Sequence, residues 1–270
     1  MIAAVTTARP IPVVLSIAGS DSGGGAGIQA DLKAFAVAGV HGTTAITAIT
    51  AQNTVGVRAI APIAPDIIAA QVAAVAEDLG VDAVKIGMLG DAATVHAVAA
   101  ALDTLPDGIP VVHDPVMVAE SGARLLESAA MQALVGEILP RATVVTPNLP
   151  EARALAGDDT LDGEALARAV HALGPRWALI TGGHRDEATD LLFDGTDVTA
   201  LPGERYPDGA AHGSGCPHAS TLAAQLALGH SVPEAARIAR RVTGEAVRDG
   251  LRGLGAGAGP VDVLGLVRRG

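Results

Sequence analysis

Val13-Val14-Leu15-Ser16-Ile17-Ala18 runs straight into Gly19-Ser20-Asp21-Ser22-Gly23-Gly24-Gly25-Ala26-Gly27, and a helical pattern follows through Ile28, Leu32, Phe35 and Ala36. Residues 13–18 are apolar and partly β-branched, the composition of a short buried strand. Residues 40–50 are β-branched again, so the chain opens as strand, glycine loop, helix, strand. Gly25-Ala26-Gly27-Ile28-Gln29-Ala30 formally fits the dinucleotide fingerprint G-x-G-x-x-G/A. That fingerprint also requires an acid at the end of the second strand to hold the ribose. No acidic residue lies between Asp31 and Asp66, so the dinucleotide reading is rejected. A mononucleotide P-loop fails as well, because neither Lys33 nor Lys85 follows a glycine.

The alternation continues along the chain. Strands are expected at 55–60, 83–88, 110–113, 143–146 and 177–180, with helices at 65–79, 91–102 and 128–139 and one more between Glu151 and Trp177. Residues 191–193 and 198–201, joined by Asp194-Gly195, read as a hairpin. Two helices close the pattern, one opening at Cys216 and one over 233–248, before a glycine-rich tail at 250–260. This order implies a mostly parallel sheet covered on both faces. One domain over 1–270 is expected, with 1–10 as a loose N-terminal extension. In such sheets ligands bind beyond the carboxyl ends of the strands. Asp21, Asp114, Asn148, Glu151 and Thr181 all lie at or just after an apolar strand.

Composition narrows the function. With 49% hydrophobic residues and only 1% aromatics, the core must be built from Ala, Val, Leu and Ile. A net charge of -11 argues against a nucleic-acid or anionic-membrane partner, since both need a basic surface. A single cysteine excludes an intramolecular disulfide and a multi-cysteine metal site. Neither a basic leader nor an apolar run of spanning length is present, so the cytoplasm is the expected compartment. For a soluble homo-oligomer the expected assembly is a homodimer, the commonest closed form.

A second glycine turn, His212-Gly213-Ser214-Gly215-Cys216-Pro217, precedes a helix with apolar positions at Ala219, Leu222, Ala223, Leu226 and Ala227. Gly229 stands where that helix should stop. A glycine turn at a helix N-terminus gathers N–H groups and the positive dipole end at one point, which suits a phosphate. Cys216 sits at that end, where a thiol pKa is expected to fall, although an isolated cysteine also serves as a small buried hydrophobe. Asn148-x-x-Glu151 reads as a capping box or as a contact to Mg²⁺, and Asp114 as a turn former or a metal-side acid. Asp31 can simply face solvent, Gln52 and Asn53 can satisfy backbone groups, Met88 can fill core space, and Asp21 orders its own loop. Together these residues describe a cleft suited to phosphoryl transfer.

Ala18 through Lys33 closely resembles the opening of the hydroxymethylpyrimidine/phosphomethylpyrimidine kinases of thiamine biosynthesis, a branch of the ribokinase-like superfamily. So do Ala51-Gln52-Asn53-Thr54, Lys85-Ile86-Gly87-Met88-Leu89, Asp114-Pro115-Val116-Met117, Ser121-Gly122, Thr146-Pro147-Asn148-Leu149-Pro150-Glu151, Gly182-Gly183-His184 and the turn ending at Cys216. The resemblance implies a three-layer α/β/α fold, ATP and Mg²⁺ as cofactors, and two successive transfers to a hydroxymethylpyrimidine and its monophosphate. It places Asp31, Gln52, Met88 and Val116 at the pyrimidine, and Asn148, Thr181, Gly183 and His212 at the nucleotide. Asp114 and Glu151 fall at the metal–phosphate cluster, with Gly213, Ser214, Gly215 and Cys216 as anion hole and catalytic turn.

The chain also departs from that pattern. Thr181 stands where the family commonly has a phosphate-facing lysine, and Gly255-Ala256-Gly257 replaces a Gly-Lys-Gly tail. Ser214 replaces a threonine, and Pro217 and His218 stand where a small or hydroxyl residue and an apolar one are usual. Losing two lysines is expected to weaken ATP binding or transition-state stabilisation, and arginine is no simple substitute. Two rivals therefore stay open: a pyridoxal kinase of the same fold, and a non-catalytic pyrimidine-binding regulator.

Overall fold

The computed structural model describes residues 10–118, 125–182, 188–206, 210 and 213–269. Its first strand, β1 (Val13–Asp21), is buried almost throughout, as a strand covered on both faces must be. It pairs in parallel with β2 (His41–Asn53) on one side and β4 (Ala83–Ile86) on the other. Beyond β4 come β5 (Val111–His113), β6 (Val144–Val145) and β7 (Trp177–Ile180), all parallel. Antiparallel strands finish both edges: β3 (Gly56–Pro62) on β2, and the hairpin of β8 (Asp190–Phe193) and β9 (Val198–Leu201) on β7. The sheet order is β3-β2-β1-β4-β5-β6-β7-β8-β9.

Alternate residues of β1 feed two cores, as a period of two requires. Leu15 and Ile17 pack with Ile68 and Val72 of α2 (Pro65–Asp78), Val95 and Val98 of α3 (Ala92–Leu102) and Leu166 of α6 (Gly163–His171). Val14 faces the opposite layer, with Phe35 of α1 (Gly27–Ala38), Leu222 of α7 (Gly215–Ala227) and Ala235 and Ala239 of α8 (Val232–Arg248). The result is an α/β/α sandwich whose core is aliphatic, as the scarcity of aromatics demands.

Two expectations change. The single helix between Glu151 and Trp177 is in fact a pair, α5 (Leu149–Ala156) and α6. Gly157 ends the first in the left-handed region at φ 68°, and the Asp162 side chain caps the second. The helix expected over 128–139 is α4 (Ser128–Ala133), which widens into a π turn at Leu134–Ile138 and tightens to a 3-10 turn at Leu139–Arg141. A short helix, α9 (Leu266–Arg269), lies near the C-terminus. No helix among the described residues is long and apolar enough to cross a membrane. What matters for function is that β1, β4, β5, β6 and β7 all end on one edge, where their following loops meet.

Candidate active site

Asp21 organises the loop after β1. Its carboxylate accepts N–H bonds from Gly23 at 2.7 Å, Gly25 at 3.0 Å and Ala26 at 2.9 Å, so the loop-ordering reading of Asp21 holds. Lys33 Nζ donates to the Gly24 carbonyl at 2.6 Å and ties the loop to α1. Gly213, at φ 76°, comes so close that a Cβ there would overlap the Gly25 carbonyl. Thus the two glycine turns, nearly two hundred residues apart in sequence, touch each other. Ser214, the N-cap of α7, makes no side-chain cap bond, which leaves the helix's first-turn N–H groups to an anion.

Cys216 follows immediately. Burial pushes its thiol up to about 12, helped by the charges of Asp114 and Asp31; Lys85 and a bond from the Gly27 N–H pull the other way. The lowered pKa expected from the helix terminus is therefore corrected: burial and the neighbouring acids raise the thiol, which stays neutral. Beneath it Lys85, fully buried, pairs with Asp31 at 2.9 Å. Burial alone would pull the ammonium down, but Asp31, helped by Asp114, more than offsets that and holds it above its ordinary range. A Cβ on Gly87 would stand 2.9 Å from Lys85 Nζ, so glycine there leaves room for the ammonium. Asp31 also accepts from Ser16 Oγ at 2.6 Å and Ser220 Oγ at 2.7 Å. It neither faces solvent nor opens onto the cleft; it is a floor that joins β1, β4, α1 and α7.

Asp114, just past β5, lies 3.6 Å from where a Gly215 Cβ would be. Burial holds its carboxyl above the ordinary range, against the pull of Lys85. Glu151 is raised for the same reason, and by Asp114 itself. Asn148 and Glu151 form the expected capping box, with both bonds at 3.0 Å. The capping reading is thus observed, yet it does not exhaust Glu151, whose carboxyl is crowded by a second acid. Asp114 Oδ2 is buried without a hydrogen-bond partner among the described residues. Two acids that repel each other, one with an unsatisfied oxygen, fit a hard divalent cation bound chiefly through phosphate and water. Among the described residues no three candidate ligands converge, so such a cation would need those further oxygens.

Thr181 follows β7, donates its N–H to Pro147 O at 3.0 Å and bridges to Asn148. On the other side, Gln52 is stitched to the β1 loop through Ser22, with bonds of 2.7 and 2.8 Å. Met88 is buried against Gly19, and its carbonyl accepts from Thr47 Oγ1 at 2.7 Å. The half-buried Val116 donates its N–H to Asp114 O at 2.8 Å. Gly183 and His212, together with Ser121, Gly122 and His184, lie outside the described residues. Sequence reasoning gave no role to Lys85, Ser16 or Ser220. The only available signal was a lysine inside a strand that is otherwise apolar.

A mostly parallel α/β/α sandwich, with a helix N-terminus and paired acids at the strand ends, defines a phosphotransferase of the ribokinase-like kind. Within that class the chain belongs to the phosphomethylpyrimidine kinase family, whose model matches residues 21–262. It is 46% identical over 259 residues to the hydroxymethylpyrimidine/phosphomethylpyrimidine kinase of Mycobacterium tuberculosis, covering 94% of each chain. The phosphomethylpyrimidine kinase structure from Clostridium difficile superimposes with a TM-score of 0.77 at 38% identity, over 87% of this chain and 99% of that one. An ADP complex of Bacillus subtilis pyridoxal kinase gives a TM-score of 0.85 at 37% identity, over 96% and 100%.

Proposed function

We propose that the cleft transfers the γ-phosphoryl group of ATP to the hydroxymethyl oxygen of 4-amino-5-hydroxymethyl-2-methylpyrimidine, and then a second phosphoryl group to the resulting monophosphate. The observation that carries this reading is the contact between the two glycine turns. It sets the N-terminus of α7, with Cys216, directly over the loop of β1. Gln52 and Met88 border that loop on the pyrimidine side, and Asn148 and Thr181 mark the nucleotide side. The N–H groups of Gly215 and Cys216 take up charge on the phosphoryl oxygens as it develops. Mg²⁺, held through Asp114 and Glu151, supplies neutralisation of phosphate charge when bound. Cys216 works as a thiol: its sulfur accepts a hydrogen bond from the substrate hydroxyl and aims the oxygen at phosphorus. A strong base is unnecessary, because a loose phosphoryl transition state puts little charge on the attacking oxygen. As the bond from that oxygen to phosphorus forms and the bond to the ADP oxygen breaks, the hydroxyl proton passes to an oxygen of the transferred phosphoryl group and from there to solvent.

The test is ADP release by the purified protein with Mg·ATP and the hydroxymethylpyrimidine, with products resolved as mono- and diphosphate. Both products are expected; pyrimidine binding without turnover would reduce the protein to a binding module. Likeness to the B. subtilis pyridoxal kinase supports a second reading, so pyridoxal is run in parallel. Faster turnover of pyridoxal would overturn the pyrimidine assignment.

A further inference from the structure

His218 stands on α7 two residues beyond Cys216, at a position where the family resemblance leads one to expect an apolar side chain. Its ring is buried and reaches Asp190 of β8. His218 Nε2 lies 3.2 Å from Asp190 Oδ2, within ion-pair range although not aligned as a hydrogen bond. The other oxygen, Asp190 Oδ1, accepts the Gly182 N–H at 2.7 Å. Gly182 follows Thr181, the residue bridged to Asn148. Arg240 of α8 brings Nε to 3.6 Å from Asp190 Oδ1 and donates from Nη2 to the Ala188 carbonyl. Its guanidinium occupies the space a Cβ on Gly203 would need. Burial alone would raise the Asp190 carboxyl; His218, Arg240 and the Gly182 N–H more than offset it and keep the group ionised.

We infer that His218, Asp190 and Arg240 form a brace fixing the nucleotide side of the cleft, at Thr181-Gly182, against the acceptor side at the first turn of α7, and that His218 is a positioning residue for the phosphoryl donor. In-line transfer requires these two sides at a set spacing, and a shift of about 1 Å costs on the order of a hundredfold in rate. The brace is not the only anchor of α7, which is also held by Leu222 and Ala223, both fully buried. Without His218, Asp190 Oδ2 has no other partner among the described residues. The carboxylate would then be free to turn toward Arg240 and release its hold on Gly182.

The inference rests on the kinase reading for its kinetic arm and on ADP binding for an arm independent of the pyrimidine. His218→Leu is expected to weaken ADP binding, measured by calorimetry, and to lower kcat, each by about tenfold, with the pyrimidine KM within about twofold of wild type. His218→Gln, which keeps an N–H donor near the Nε2 position, is expected to recover most of both losses. Wild-type ADP affinity and kcat in His218→Leu would overturn the brace, as would equal losses in the Gln variant or an equal rise in the pyrimidine KM. Should His218→Leu fail to fold, Asp190→Asn keeps an acceptor for Gly182 while removing the charge, and must show the same ADP-selective loss. Absence of wild-type turnover on the pyrimidine would overturn the substrate assignment alone, leaving ADP calorimetry to decide on the brace.

Discussion

Replacing Lys85 with methionine isolates the buried pair under the active site. Lys85 and Asp31 are both fully buried and 2.9 Å apart, and the ammonium has no solvent to share. Removing one partner of such a pair costs about 3–5 kcal/mol, because it strands the other charge in the interior. Asp31 would keep the hydroxyls of Ser16 and Ser220, which places the expected cost near the lower end, about 3 kcal/mol. For a chain of this size each kcal/mol lowers Tm by roughly 2–4 °C, so a fall of about 6–12 °C is expected. Methionine matches the length of the aliphatic stem, so little of the loss can come from an empty cavity. The control is the double variant Lys85→Met/Asp31→Asn, whose neutral amide leaves no stranded charge. It should return to within about 1 kcal/mol of wild type in urea unfolding. A single variant that loses less than about 1 kcal/mol, or a double variant no better than the single, would refute the view that the pair is an interlocked floor.

Cys216→Ala should leave pyrimidine binding by calorimetry nearly intact while lowering kcat about a hundredfold, the scale of a misaimed hydroxyl; an unchanged kcat would make the residue mere filling. Glu151 and Asp114 are held above the ordinary carboxylate range, so the apoprotein should lose stability as pH rises past that range, where the unfolded chain releases its protons first. Over the same window the apparent Mg²⁺ affinity of the ADP complex should rise, and Glu151→Gln should flatten that rise; a Gln variant with the wild-type slope would remove Glu151 from the metal site. In Gly213→Ala a Cβ would meet the Gly25 carbonyl at a backbone φ of 76°, so both glycine turns must shift. Its kcat should fall at least about tenfold with the pyrimidine still bound, and full activity would show that the contact between the turns is incidental.

How far the sequence could be read follows the range of each interaction. The Asp21 loop and the Asn148–Glu151 box were both readable, because each closes within five residues along the chain. The split between α5 and α6 was readable too, since Gly157 and Asp162 are the ordinary stop and start signals, which a single helix between Glu151 and Trp177 passes over. By contrast, Asp31 meets Lys85 across 54 positions and Ser220 across 189, distances at which no local pattern is informative. Cys216 shows the same limit from the other side. The dipole at the start of α7 is a local property and predicts a lowered thiol pKa, whereas the burial that raises it comes from elements the helix sequence does not contain.

Both lysines of the chain now have places, and neither place is the one the family pattern vacates. Lys33 closes the β1 loop through the Gly24 carbonyl, and Lys85 neutralises Asp31 under Cys216. Thr181 at the end of β7 and Ala256 in the tail, where the family pattern has lysines, carry no charge. The tail is instead docked by its backbone, with the Gly257 N–H on Thr54 Oγ1 at 3.2 Å. Under the proposed function, charge on the transferring phosphoryl group is met by the backbone N–H groups that start α7 and by a cation that Asp114 and Glu151 would hold. Backbone donors act only at fixed geometry, whereas a lysine on a long flexible stem can follow its phosphate. A kinase that relies on them depends correspondingly on the rigidity of that helix end. The touching glycine turns and the contact from His218 to Asp190 constrain that first turn of α7, and the Asp31–Lys85 floor holds the next turn through Ser220.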